Sequence, residues 1–153
     1  MTSPTFLPPA QPVPNCELCQ QPGGHLVWAR EGWRVIRAID ADFPAFYRVV
    51  QREHVAEFSD LPEPQRQHCM QLVSTVERAL IERLQPTKIN LAAFGNMVPH
   101  LHWHVIARFA WDSHFPQPVW GARQREVQPS AVSRLPCALG DLDAAVAAAL
   151  DAA

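Results

Sequence analysis

The sequence predicts an α+β domain: an antiparallel sheet of about five strands with one long helix and a C-terminal helix. Three observations lead there. Alternating apolar and polar runs at 25–30, 33–40 and 46–51 read as three successive strands. Residues 63–84 then repeat apolar side chains at three and four, the helical period. Two further strand patterns follow, at 88–94 and through the histidine-rich stretch around 100–106. Strands, then a helix, then strands again is the order of an α+β fold.

Residues 1–14 carry Pro4, Pro8, Pro9, Pro12 and Pro14 and are expected to form a flexible arm, because such a stretch cannot build a core. Residues 15–153 are expected to be a single domain. Cys16-Glu-Leu-Cys19 leads into the turn Gln-Gln-Pro-Gly-Gly, and Glu31-Gly32 marks a hairpin between the first two strands. Asp42-Phe-Pro-Ala is a loop before the third strand. Ser59 or Asp60 can cap the long helix, and Pro62 and Pro64 fit only at its start. Met70, Val73, Val76, Leu80 and Leu84 form its buried stripe, and Pro86 ends it. His68, within that helix, has no assigned role. Residues 111–136 are interrupted by Pro116, Pro118, Gly121, Pro129 and Pro136 and read as an ordered arm. Its indoles, Trp111 and Trp120, cover the site or a partner subunit, or else pack on their own domain. Residues 139–153 are alanine-rich and helical, with Asp141 favouring the helix start.

Composition narrows the function classes. Hydrophobic residues are 48% and charged residues 18%, ordinary for a globular protein. A net charge of -2 gives no general attraction for nucleic acid or a membrane surface, so any phosphate binding must be local. Residues 1–15 lack the basic start and apolar run of a signal peptide, and no stretch reaches membrane-span length. A cytoplasmic protein with free thiols is the expectation. Cys69 and Cys137, being isolated, read as buried small residues.

The chemistry concentrates in His100-Leu-His102-Trp-His104-Val-Ile, which follows Gly95-Asn96. Side chains alternate across a strand, so three histidines spaced by two share one side while Leu101, Trp103 and Val105 face the core. The outer pair then stands about 13 Å apart, too far to converge on one ion from a straight strand. A row of imidazoles suits an extended anion such as a polyphosphate.

This motif resembles that of the histidine-triad (HIT) superfamily, His-φ-His-φ-His-φ-φ with φ apolar. The likeness runs from about Cys16 to Phe109. It implies nucleotidyl transfer from a phosphoanhydride or phosphoramidate, with a dinucleoside polyphosphate or adenosine phosphoramidate as substrate class. The position of the attacking histidine is His102, and a nucleotidyl-histidine intermediate splits one displacement into two. His104 matches a histidine that contacts phosphate. Asn96, Asn90 and Asp40 match nucleotide-binding positions, the last holding the ribose hydroxyls, with Asp42 as its rival. Two departures stand out. Phe46 or Tyr47 occupies the place of a frequent histidine early in the third strand, and Met97 replaces a frequent Ser/Thr beside the phosphate.

Cys16 and Cys19 have metal-ligand spacing, and the resemblance adds His54 and His100 as partners in a structural Cys2His2 zinc site. A redox Cys-x-x-Cys pair is the alternative for the thiols. The resemblance further implies a homodimer with the long helix and a sheet edge at its contact. Two other classes stay open: a nucleotide-binding regulatory module without turnover, and a metal-binding protein whose histidines serve only an ion.

Overall fold

Five strands hydrogen-bond in the order β1-β2-β3-β5-β4, every neighbouring pair antiparallel. They are β1 (His25–Arg30), β2 (Trp33–Arg37), β3 (Phe46–Gln51), β4 (Lys88–Ala92) and β5 (His102–Arg108). A one-turn helix α1 (Glu17–Gln20) precedes them, α2 (Glu63–Leu84) separates β3 from β4, and α3 (Leu139–Ala152) closes the chain. The structure is a computed structural model and describes residues 2–153. Among these residues no helix is long and apolar enough to cross a membrane.

The two faces of the sheet have different jobs. Val35, Tyr47, Val49, Val105 and Ala107 point to one side and pack with Leu72, Val73, Val76 and Leu80 of α2 and Leu142 and Val146 of α3. This is the main core. On the opposite face Ile36 and Val50 meet Cys16, Leu18 and Cys19, while Phe46 and Ile106 meet Ala38 and Phe43. Between those two small clusters the face stays open. Register places Arg48 opposite His104 and Val50 opposite His102, so two of the histidines stand there.

Local chemistry explains the element ends. Glu31 and Gly32 both have positive φ (52° and 82°), which closes the β1–β2 hairpin tightly. Helix α2 occupies the expected residues, but its cap is Pro62. Asp60 instead accepts from the Glu57 backbone N–H at 3.0 Å within a short 3-10 turn. Gln85, in the left-handed region at φ 46°, ends α2 before Pro86. Strand β2 stops at Arg37 because the Asp40 carboxylate captures the backbone N–H groups of Asp42 and Phe43 (2.9 and 3.2 Å). Cys137 is only half-buried, whereas Cys69 lies in the main core, where burial pushes its thiol up to about 12.

Residues 2–14 form no helix or strand, yet they have definite attachments. Arg52 donates to the Pro8 carbonyl (2.9 Å), Ala10 N–H donates to the Glu53 carboxylate (3.1 Å), and the Arg34 guanidinium lies over the Phe6 ring.

Candidate functional site

The triad splits at its first member. His100 precedes β5: its N–H bonds the Val98 carbonyl (2.8 Å), and the next N–H, of Leu101, bonds the Val55 carbonyl (2.8 Å). The three imidazoles therefore do not form the expected row, because the backbone has not yet become a strand at residue 100. The His100 ring turns inward and is fully buried. Its Nδ1 lies 3.4 Å from Cys16 Sγ and 3.5 Å from Cys19 Sγ, and His54 Nδ1 lies 3.4 Å from Cys19 Sγ.

These distances test whether an ion fits. A tetrahedral ion with Zn–S near 2.3 Å and Zn–N near 2.05 Å has S···N edges of about 3.6 Å. All four ligand atoms lie within 4.8 Å of one another, and three of the S···N separations, at 3.4–3.5 Å, match that edge. Protonation agrees as well. His100 Nε2 donates to the Gln51 carbonyl at 2.6 Å, which leaves the Nδ1 lone pair facing the thiols. Helix α1 supplies the two cysteines from its flank and its body. Arg34 fastens this corner by donating to the carbonyls of Leu18, Gln21 and Pro22.

His102 and His104 face a cavity of about 440 Å³ lined also by Glu17, Leu18, Arg48, Phe94, Asn96 and Trp120. His102 Nδ1 donates to the His100 carbonyl at 2.7 Å. Its Nε2 has no hydrogen-bond partner among the described residues and carries the lone pair. Burial lowers the His102 pKa, against the carbonyl bond and with the Arg48 charge, so the ring is neutral near pH 7. Burial, then His102 and Arg48, pushes His104 down to about 3. Arg48 Nε donates to His104 Nδ1 at 3.3 Å.

The remaining expected site residues separate. Asn96 lines the cavity and Met97 projects beside it, 93% exposed. Asp40 lines an adjoining cavity of about 360 Å³ with Ala38, Ile39 and Phe46. Asp42 is held in an ion pair by Arg123 at 2.7 Å. Asn90 reaches neither cavity; its Oδ1 accepts from Arg108 Nη1 at 2.7 Å. Arg108 also pairs with buried Asp112 and donates to the Gln117 carbonyl, pinning the loop that carries Trp120. The two indoles part company: Trp120 stands 5.0 Å from the His104 ring and 4.8 Å from Phe94, while Trp111 stacks on Phe109 away from the site.

Sequence reasoning missed Arg48 and Phe94 as site-lining residues, and left Trp120 open between covering a site and packing elsewhere. Arg48 was findable, since a charged residue among Phe46, Tyr47, Val49 and Val50 breaks the strand's apolar run. Phe94 carries no such signal.

A Cys2His2 cluster beside an imidazole-lined cavity, on one antiparallel sheet, defines a histidine-triad architecture. The HIT domain family model matches residues 21–111, and the chain belongs to that family. A histidine triad protein from Bradyrhizobium japonicum is 32% identical, with a TM-score of 0.67, over 82% of this chain and 89% of that one. A histidine triad protein from Marinobacter aquaeolei VT8 is 28% identical, with a TM-score of 0.67, over 86% and 91%. A zinc-bound histidine triad family protein from Mycobacterium smegmatis shares the fold at 19% identity and a TM-score of 0.56, over 84% and 87%. A search of curated proteins found no match.

Proposed function

We propose that this protein is a nucleotide hydrolase or nucleotidyl transferase that cleaves a phosphoanhydride or phosphoramidate bond through a nucleotidyl-His102 intermediate. The carrying observation is the His102 ring itself, tied at Nδ1 to the His100 carbonyl and unpartnered at Nε2 on the wall of a cavity. The Nε2 lone pair attacks the α-phosphorus, an Nε2–P bond forms, and the bond to the leaving group breaks with its electron pair. The Nδ1–H···O=C bond steadies the imidazolium thus created. Water then attacks phosphorus and the N–P bond breaks with its electron pair returning to His102 Nε2; one water proton stays on the nucleoside monophosphate and the other passes to solvent.

His104 and Asn96 donate to phosphate oxygens in this reading, and Asp40 accepts from the ribose hydroxyls in the adjoining cavity. Asn90 enters at one remove, by holding Arg108. Cys16, Cys19, His54 and His100 hold a structural zinc ion, which locks α1 and the start of the motif to β3. A match of donor spacing to tetrahedral edges supports this, as does the zinc reported for the Mycobacterium smegmatis protein. A two-fold homodimer belongs to the same reading: Ile81 on α2 and Leu91 on the edge strand β4 are exposed apolar residues.

The test is incubation with diadenosine tetraphosphate and adenosine 5′-phosphoramidate, with acid quenching. Adenylate should appear with at least one substrate, along with acid-labile label on His102. Turnover undiminished in His102→Ala would overturn the assignment.

A further inference from the structure

Arg48 differs from the other arginines near the site. Arg37 and Arg108 are ion-paired to Asp143 and Asp112, Arg123 to Asp42, and Arg34 is anchored on three carbonyls and borders neither cavity. Arg48 has no carboxylate within ion-pair distance among the described residues. Two of its contacts engage N–H groups, Nε to His104 Nδ1 (3.3 Å) and Nη1 to the Gly23 carbonyl (3.4 Å). A guanidinium has five N–H donors, so three remain. It lies over the Phe46 ring, 5.2 Å from its centre, and borders both the histidine cavity and the cavity lined by Asp40. A half-buried cation with spare donors between two cavities is complementary to an anion spanning them.

The contact with His104 has a second consequence. Arginine Nε–H can only donate, so His104 Nδ1 must accept and the ring proton must sit on Nε2. His104 is then a neutral donor of one hydrogen bond, with no proton to surrender. Burial and the adjacent charge reinforce this.

We infer that Arg48 is the phosphate's counter-charge and the residue that fixes His104 as a neutral hydrogen-bond donor, and that the site therefore selects phosphoanhydrides over phosphoramidates. This rests on the function proposed above. When His102 Nε2 bonds to the α-phosphorus, a departing phosphate or nucleotide takes the P–O electron pair and is stable as an anion without a proton. A departing amine would have to take the P–N pair as an amide anion unless a proton reached it, and His104 so held has none to give.

The experiment measures kcat/KM for diadenosine tetraphosphate and adenosine 5′-phosphoramidate in the wild type, Arg48→Lys and Arg48→Met. Histidine ¹⁵N NMR of the nucleotide-free proteins reads the His104 tautomer in parallel. The wild type should favour the anhydride at least tenfold, with His104 protonated at Nε2 only. Arg48→Met should lose at least tenfold on the anhydride, narrow the preference and mix the tautomers. Arg48→Lys should recover most of the anhydride rate. A wild type favouring the phosphoramidate, or an equal fall on both substrates in Arg48→Met, would sink the inference. If the wild type turns over neither substrate, the proposed function fails instead, and an unchanged His104 tautomer in Arg48→Met would then overturn the Arg48 assignment separately.

Discussion

His100 and His102 are two residues apart and carry identical side chains, yet their surroundings are opposite. His100 is enclosed by two thiols and a second imidazole, and both of its ring nitrogens have partners. His102 is fixed at one nitrogen and presents the other to a cavity of about 440 Å³. The difference arises from the backbone. Residue 100 lies before the β5 ladder begins, so its ring can turn away towards α1, whereas residues 102 and 104 are locked in register with Val50 and Arg48. The contrast teaches that one end of a motif can be enclosed in the fold while the other stays open to a cavity. The two are coupled, because the His100 carbonyl is what orients His102.

The largest expected effect breaks the ligand side alone. His102→Ala should reduce turnover by about a thousandfold or more, about 4 kcal/mol of barrier, while zinc content stays at one per chain by atomic absorption. Loss of zinc in that variant would show that the two ends are not separate. Cys19→Ala attacks the other end. With free zinc at about a thousand times its Kd, linkage gives about 4 kcal/mol, so losing the site should lower Tm by roughly 10 °C in calorimetry. An unchanged Tm after chelation would remove the structural role.

Next in size is the support beneath Trp120. Asp112 accepts from Arg108 and from the backbone N–H groups of Phe109, His114 and Phe115; although burial works against ionisation, these bonds hold its carboxyl below the usual range. Asp112→Ala leaves a buried arginine unpaired and should cost about 3–5 kcal/mol in urea unfolding. Trp120 fluorescence should also shift to the red, and a stable Asp112→Ala protein with native emission would contradict this account.

The smallest effect concerns pH. His104 titrates near 6.5 in the unfolded chain and about 3 in the folded one, so folding favours its neutral form. Its contribution is fully present above about pH 6.5 and is lost as pH falls towards 3, because the unfolded chain binds the proton first. The urea midpoint should therefore drop between pH 7.5 and 5, and His104→Gln should flatten that slope. Equal slopes would argue that His104 is solvated rather than enclosed.

Much of the fold was legible because its signals are local. Alternation marked 25–30 and 46–51 as strands, and Pro62, Pro64 and Pro86 bracketed the long helix. The His-x-His-x-His spacing pointed to the face that carries the cavity as directly. Asp40 and Asn96 border the two cavities, but the position of Asn90 against Arg108 was hidden, since it depends on the β4–β5 register and on a loop folded back from residue 112.

By itself, then, the sequence determined the elements, their order and the residue types able to bind phosphate or a metal, since propensity and periodicity act over a few neighbouring residues. The family resemblance had grouped His100 with residues 16, 19 and 54, but only the tertiary structure decided how its ring leaves the row to meet them, that Arg48 stands against His104, and that Trp120 rather than Trp111 closes on the same cavity. Those pairings join positions tens of residues apart, and strand register and packing, which no local pattern encodes, bring them together.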